Sequence, residues 1–150
     1  MSLPFTINQL SHHDSEQFAR LVNLFHLVFE NEQTTIAPHA NLQRLLSNPH
    51  FVAFVVFFEN QLVGGCTAYV LPSYTSTHAE LLIYDLAIHP DFQRRGLGTL
   101  LIETVRTYCT NQHIPLFFAL AHADDDPAVE FYRATGAQLE SVMNAVYPIR

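Results

Sequence analysis

The hydrophobic pattern changes from helical spacing to continuous apolar runs about one third of the way along the chain. After Ser11-His12-His13-Asp14, which is typical of a helix start, apolar side chains recur every three or four residues and predict an amphipathic helix to about Glu30. A second, short helix is predicted from Ala40 to Ser47, because Pro49 disfavours helical geometry in the residue before it.

The middle of the chain is rich in β-branched and aromatic residues. The run from Phe51 to Phe58 predicts a strand, and Leu62 to Leu71 predicts its antiparallel partner in a hairpin. A third strand is predicted from Ala79 to Ile88, and Pro90 ends it.

The last third of the chain returns to helical spacing and then mixes strand and helix patterns. We predict a helix after Gly96, a buried strand from Pro115 to Ala121, and a helix that begins near Pro127 and ends at Gly136. A last strand is predicted from Gln138 to Val146. Two helices, three strands, a helix, a strand, a helix and a strand indicate the α/β (α+β) class.

Composition limits the class of protein. The chain has 150 residues, of which 49% are apolar and 14% charged, and no repeat or linker divides it, so we expect a single domain. Its apolar runs are shorter than the roughly 20 residues of a bilayer span, and no basic stretch followed by an apolar segment opens it. We therefore expect a cytoplasmic protein with no membrane partner. Cys66 and Cys109 form no C-x-x-C pair and the nine histidines are scattered, so we expect no metal site.

Acidic side chains outnumber basic ones. Fourteen aspartates and glutamates face seven arginines, which gives a formal net charge of −7 at pH 7. Such a surface repels nucleic-acid phosphates and attracts cations. We therefore expect a neutral or cationic partner and no nucleic acid.

One segment, Asp85–Thr99, connects the third predicted strand to a helix through a glycine-containing turn. Backbone N–H groups at a helix N-terminus lack partners and the helix dipole adds positive charge there, so this turn is suited to an anion. Arg94 and Arg95 add two full charges. No Gly-Lys-Ser/Thr follows, which argues against a Walker loop, and Leu101 replaces the third glycine of a dinucleotide-binding fingerprint. The pattern predicts a site for another phosphate-bearing ligand.

Two motifs in this order resemble those of the GNAT family of N-acetyltransferases. Gln93–Gly98 matches the Gln/Arg-x-x-Gly-x-Gly/Ala loop of that family's motif A, and Leu86-x-Ile88-x-Pro90 matches the strand before it. Ala128–Ala137 looks like motif B, with its Phe-Tyr-x-x-x-Gly signature. The resemblance implies the GNAT fold, with a mixed, mostly antiparallel central sheet and flanking helices.

A narrower likeness, to gentamicin-type aminoglycoside 3-N-acetyltransferases, spans about Leu24 to Met143. It is carried by Ala68–Pro72, Ile83–Ala87 and Asp125–Val129. The chain departs from that group at His122-Ala123, where the group has Asp-Tyr, and its last predicted strand lacks the group's acidic residues. The likeness implies acetyl-coenzyme A as cosubstrate without a metal, a small cationic amine as acceptor, and a homodimer to which the last strand contributes.

The resemblance assigns roles at the donor site. Backbone groups of the strand bearing Leu86 are expected to pair with pantetheine and the thioester carbonyl, and the Tyr132 phenol to donate to the departing thiolate. The residues expected to contact the coenzyme are Leu86, Ala87, Ile88, Gln93, Arg94, Arg95, Gly96, Leu97, Gly98, Thr99, Asp125, Ala128, Phe131 and Tyr132.

The acceptor amine needs a carboxylate that attracts its ammonium form and takes its proton. In a regular strand Glu80 shares a face with its even-numbered neighbours and Asp85 with Ile83 and Ala87, so without a bulge only one of the two carboxylates faces the acceptor. We favour Asp85 as the base and keep Glu80 as the second candidate. The alternative role for Asp85 is a hydrogen bond to nearby backbone.

The acidic run before Pro127, Asp124–Asp126, has two interpretations. One carboxylate there is expected to cap the following helix. Because three adjacent acids exceed what a cap requires, Asp125 and Asp126 are also expected to contact a cationic acceptor. The predicted acceptor site comprises Glu80, Tyr84, Asp85, Asp125 and Asp126.

The predicted function is therefore transfer of acetyl to a primary amine by direct attack, with an aminoglycoside antibiotic as the first choice of acceptor. Two alternatives stay open. The first is an acetyltransferase for polyamines, other small amines or a protein amine. The second is a coenzyme A-binding module without catalytic activity.

Overall fold

The computed structural model describes residues 4–150, which form two compact units, one ending at Ala119 and one beginning at Leu120. The elements of the first unit are, in chain order, β1 (Phe5–Gln9), α1 (Ser15–Val28), α2 (His39–Leu46), β2 (Phe51–Phe58), β3 (Gln61–Leu71), β4 (Glu80–Ile88), a 3-10 turn (Pro90–Phe92), α3 (Leu97–Asn111) and β5 (Phe117–Ala119). The second unit contains α4 (Asp126–Ala134).

The strands form one sheet in the order β1-β2-β3-β4-β5. Strands β1 to β4 pair antiparallel with their neighbours, and β5 runs parallel to β4. The predicted mixed, mostly antiparallel sheet with helices beside it is confirmed. Among residues 4–150, no helix has both the length and the apolar character that crossing a bilayer requires.

Helix α1 lies close against one face of the sheet, called the α1 face below. A Cβ atom on Gly65 would lie 2.5 Å from the Leu21 Cδ1 atom, so the glycine allows this close approach. Leu21 belongs to the same hydrophobic cluster as Phe51, Ala53 and Val55, whose side chains share the α1 face of β2.

Helix α3 lies against the opposite face. The Tyr108 ring meets the Phe54 ring edge-on, with 6.0 Å between centroids, and Leu101 and Val105 are fully buried. Cys109 is buried on the same helix, as its place in the apolar stripe predicts.

Bounds in the middle of the chain agree with prediction: β2 matches, and β3 and β4 each differ by one residue. Helix α1 begins four residues after Ser11 because Ser11–Asp14 form a turn. The Asp14 carboxylate accepts a 2.7 Å hydrogen bond from the Ser11 backbone N–H and a 3.1 Å bond from its hydroxyl. Strand β5 is shorter than predicted, because its pairing with β4 ends at Ala119.

Strand β1 is absent from the prediction. Its apolar residues, Phe5 and Ile7, alternate with Thr6 and Asn8 over only five positions. Such a short alternation on an edge strand gives little signal, and pairing with the apolar strand β2 fixes its conformation.

The predicted last strand, Gln138–Val146, is wrong. Residues 137–150 contain no helix or strand, and α4 is the one regular element among residues 120–150. A strand needs a hydrogen-bonded partner, and the described residues of the second unit offer none. The apolar pattern there is real but does not by itself make a strand.

Candidate active site

Residues Gln93–Gly96 form an exposed turn between the 3-10 turn and α3, and together with the first helical residues, Leu97–Thr99, they are called the anion loop below. Gly96 is the residue before the helix and has a φ of 82°, a left-handed conformation that favours glycine. Arg94 is also left-handed, with a φ of 64°. Left-handed residues in such a turn allow its backbone N–H groups to face an anion.

The N-terminus of α3 is open to a ligand. No side chain of residues 4–150 caps it, and no acidic residue lies in its first turn. By contrast, α4 is capped by Asp125, whose carboxylate accepts a 3.2 Å hydrogen bond from the Ala128 backbone N–H. The N–H groups of the first turn of α3 therefore have no intrahelical acceptor and carry the positive end of the helix dipole. This arrangement fits a phosphate group.

Two of the predicted donor-site side chains hold the loop itself. Gln93 Nε2 donates a 2.9 Å hydrogen bond to the Ile88 carbonyl, which ties the loop to the end of β4. Arg95 Nη2 donates to the Asp91 carbonyl at 3.3 Å, and its guanidinium lies 5.1 Å from the centre of the Phe92 ring. The Arg94 side chain is exposed.

Strand β4 continues beyond its partner β5. Pairing between the two ends at Ile83 and Ala119, whereas β4 runs on to Ile88. Within the described residues of the first unit, the β5 side of residues 84–88 has no strand partner. The backbone of Leu86, Ala87 and Ile88 therefore lies beyond the end of the β4–β5 pairing.

A bulge in β4 changes which side chains share a face. Asp85 pairs with Thr67 and Ile83 with Ala68, so Tyr84 is an extra residue in the ladder. Glu80 and Asp85 consequently lie on one face, the α1 face, and Asp85 does not share a face with Ile83. The prediction of opposite faces held only for a regular strand, and the bulge corrects it.

Asp85 is half-buried, and burial raises the pKa of its carboxyl above the ordinary value. Among residues 4–150, no group donates a hydrogen bond to this carboxylate. The alternative role of Asp85, binding nearby backbone, is therefore not seen. Glu80 is exposed at the start of the same strand.

Four aromatic rings form a row across the α1 face and end beside Asp85. Phe18 of α1 stacks on Phe51. The ring centroids of Phe51 and Tyr69 are 5.1 Å apart. Those of Tyr69 and Tyr84, which meet edge-on, are 5.5 Å apart. Burial raises the pKa of the Tyr69 phenol, and the charges of Tyr84 and Asp85 raise it further. Tyr84 is 64% exposed, so its side chain is accessible to a ligand.

The second unit holds the remaining predicted residues. Asp125 caps α4, which confirms that one carboxylate of the acidic run has this role, and Asp126 is the first residue of the helix. Phe131 and Tyr132 are half-buried, with their rings edge-on at 5.2 Å.

Neither cysteine has the character of a nucleophile. Burial raises the pKa of the Cys66 thiol to about 12 and that of the Cys109 thiol to about 11. No three His, Cys, Asp or Glu side chains of residues 4–150 are grouped so that they could hold a metal ion.

Comparison with known proteins identifies the family. The model of the acetyltransferase (GNAT) family matches residues 17–137. The chain belongs to the acetyltransferase (GNAT) family. It is thus an enzyme of the N-acetyltransferase class, as the two motifs imply.

Solved GNAT structures give a closer likeness. The chain is 35% identical to an aminoglycoside acetyltransferase, meta-AAC0020, from an uncultured soil metagenomic sample, in complex with sisomicin, with 97% of each chain covered and a TM-score of 0.95. It is 28% identical to another such enzyme, HMB0005, also from an uncultured soil metagenomic sample, with 100% of each chain covered and a TM-score of 0.93.

A curated relative is more distant. The chain is 28% identical over 69 residues to the [ribosomal protein bS18]-alanine N-acetyltransferase of Salmonella typhimurium. The match spans 46% of this chain and about half of that protein, 47%.

The sequence pattern of this GNAT chain singles out the anion loop and Asp85 but gives no signal at Thr67, the register partner of Asp85. A threonine in an apolar strand gives no functional signal by itself. Its pairing depends on the extra residue in β4, which no spacing in the sequence announces.

Proposed function

We propose that this GNAT enzyme transfers the acetyl group of acetyl-coenzyme A to the 3-N amine of an aminoglycoside. The observation that carries the proposal is the 35% identity, over 97% of both chains, to an aminoglycoside acetyltransferase solved with sisomicin. The net charge of −7 supports it, because an acidic molecule attracts a polycationic acceptor.

On the donor side, we assign the coenzyme's pyrophosphate to the anion loop. The uncapped first turn of α3 and the left-handed Gly96 fit a phosphate, and Arg94 supplies an exposed positive charge. Gln93 and Arg95 support this loop through their own hydrogen bonds. Bound acetyl-coenzyme A supplies the acetyl group as a thioester.

On the acceptor side, we assign Asp85 as the base. Its carboxylate takes a proton from the ammonium form of the acceptor, directly or through water, which leaves a neutral amine with a free lone pair. The amine nitrogen attacks the carbonyl carbon to form the C–N bond, and the C–S bond breaks as the nitrogen releases a second proton, which balances the proton that the thiolate takes up. Glu80, Tyr84, Asp125 and Asp126 are assigned to the cationic groups of the acceptor.

The departing thiolate needs a proton or a hydrogen bond. We assign this role to the Tyr132 phenol of α4, on the resemblance of Phe131-Tyr132 to motif B. Backbone N–H groups of Leu86–Ile88 are assigned to the oxyanion that develops on the carbonyl oxygen.

Thiol release from acetyl-coenzyme A, measured with sisomicin, gentamicin, spermidine and a lysine peptide in parallel, tests the acceptor. We expect turnover with the two aminoglycosides, lost in Tyr132→Phe and weakened in Asp125→Ala. NMR of the product identifies the acetylated nitrogen. Turnover with spermidine or the peptide alone would keep the donor site and reject the acceptor.

The curated relative favours a second candidate, a protein amine, because that relative acetylates an alanine of a ribosomal protein. A peptide beginning with alanine belongs in the same assay. Coenzyme binding without turnover on any amine would indicate a module without catalytic activity.

We also propose a homodimer through the C-terminal segment, residues 137–150. Its exposed apolar side chains are Leu139, Val142, Met143, Val146, Tyr147 and Ile149. Residues 142–149 contain no charged side chain, so two copies can meet there without the repulsion that a net charge of −7 imposes elsewhere. Light scattering of the wild type and of Val146→Asp tests this pairing.

A further inference from the structure

Thr67, in the middle of β3, is a buried polar residue with no evident structural partner. It is 5% exposed and is the one polar residue among the buried residues that the structure describes. No side-chain hydrogen bond within residues 4–150 involves it. Buried hydroxyl groups are normally paired, because an unpaired one loses its bonds to water without replacement.

The Thr67 hydroxyl is nevertheless open to a small polar group. Every side-chain nitrogen or oxygen that is cut off from solvent in the described residues has a partner. Because the Thr67 hydroxyl has none, it retains contact with solvent. A valine would fill the same volume without an unpaired polar atom, so packing alone does not account for threonine here.

The surroundings of Thr67 define the chemistry of its ligand. Thr67 and Asp85 are register partners on the α1 face, and directly opposite residues have Cβ atoms about 5 Å apart. Tyr69 lies two residues along β3 from Thr67, and its ring meets that of Tyr84, which is exposed. A hydroxyl, a carboxylate and an aromatic face together suit a cationic amine with several N–H groups.

We propose that the Thr67 hydroxyl binds the reacting amine of the acceptor, accepting a hydrogen bond from one N–H group beside the Asp85 carboxylate. This inference rests on the proposed aminoglycoside acetyltransferase function. An ammonium group has three N–H bonds. When one proton passes to Asp85, Thr67 holds a second N–H and so fixes the direction of the lone pair.

Three variants test this role. Thr67→Val removes the hydroxyl and keeps the shape, Thr67→Ser keeps the hydroxyl, and Thr104→Val makes the same change on α3, where the threonine bonds only its own helix at Leu100. Each is assayed with varied sisomicin at saturating acetyl-coenzyme A. Calorimetry gives the Kd for acetyl-coenzyme A, and thermal unfolding gives the Tm.

We expect Thr67→Val to lower kcat/KM for sisomicin about tenfold, the loss of roughly one hydrogen bond, while the Kd for acetyl-coenzyme A is unchanged. The Tm stays the same or rises, because the substitution removes no hydrogen bond within the described residues. Thr67→Ser restores most of the activity, and Thr104→Val leaves the kinetics unchanged.

Unchanged sisomicin kinetics in Thr67→Val would overturn this assignment and leave the proposed function in place. A loss of activity that Thr67→Ser shares, with a lowered Tm in both, would also overturn it, since packing then explains the effect. A wild-type chain that binds acetyl-coenzyme A but acetylates neither aminoglycoside contradicts the proposed function, and the role of Thr67 fails with it.

Discussion

The protonation of Asp85 connects a single buried residue to the rate of the reaction. Burial raises the pKa of this carboxyl, and a base must be deprotonated to act. Activity with sisomicin should therefore fall as the pH falls through that raised pKa, at a higher pH than an exposed aspartate would give. Asp85→Asn should lower kcat by about 10²- to 10⁴-fold in the thiol-release assay.

The burial of Asp85 also predicts that Asp85→Asn, which lowers activity, does not lower stability. A raised pKa means that the folded chain binds this proton more tightly than the unfolded chain does, so ionisation above that pKa costs stability and the cost disappears as the pH falls through it. At pH 7 the asparagine variant should equal or exceed the wild type in free energy of unfolding, measured in urea. Parallel loss of activity and stability would mean that Asp85 supports the fold instead.

Gln93 is a second residue whose role the structure changes. Its side chain donates to the Ile88 carbonyl, so it positions the anion loop. Gln93→Met keeps the length and removes the donor, and should lower the free energy of unfolding by about 0.5–1.5 kcal/mol. It should also raise KM for acetyl-coenzyme A and leave KM for sisomicin unchanged.

The matched control for Gln93→Met is Gln112→Met, at the exposed end of α3. Equal KM values for acetyl-coenzyme A in the two variants would show that the bond from Gln93 does not position the loop.

At the scale of elements, the N-terminus of α3 lacks a negative charge that would stabilise the helix and would repel the proposed phosphate ligand. Helices gain from an acidic side chain in the first turn, yet α3 has none. Thr99→Glu should stabilise the chain by about 0.3–1 kcal/mol relative to Thr99→Gln, which has the same size without charge. The glutamate should raise KM for acetyl-coenzyme A several-fold over the glutamine, because it repels phosphate.

Steady-state kinetics and urea unfolding of this pair of variants check the expectation. If glutamate and glutamine give the same KM, the phosphates do not bind at this helix end and the donor-site assignment is wrong.

The elements differ in how far the sequence could predict them. Phe51–Phe58 is apolar throughout because both faces of β2 are buried, so its own composition defines it. The turn and the start of α3 are also predicted locally, because glycine favours the left-handed conformation of Gly96 and the residues after it have helical spacing. By contrast, Gln138–Val146 has a strand-like pattern but no strand partner, and the bulge at Tyr84 depends on how β4 pairs with β3. Pairing across the sheet is a long-range property that local spacing does not encode.

At the scale of the whole molecule, the anion loop is positively charged although the net charge of the chain is negative. The anion loop contributes two of the seven arginines, whereas the net charge is −7. The proposed donor is an anion and the proposed acceptor is a polycation, so the overall field favours binding of the acceptor and the local charges of the anion loop favour binding of the donor. The two substrates should therefore respond differently to salt.

Ionic strength separates these contributions. From about 0.01 M to about 0.1 M salt, the Debye length falls from about 30 Å to about 10 Å, which screens the field of distant acidic residues more than contacts within the site. We expect kcat/KM for sisomicin to fall several-fold over this range while kcat at saturation is unchanged, because screening weakens association and not the transfer step. A kcat/KM that is independent of salt would mean that the acceptor is recognised by short-range contacts such as those of Asp85 and Thr67, without help from the net charge.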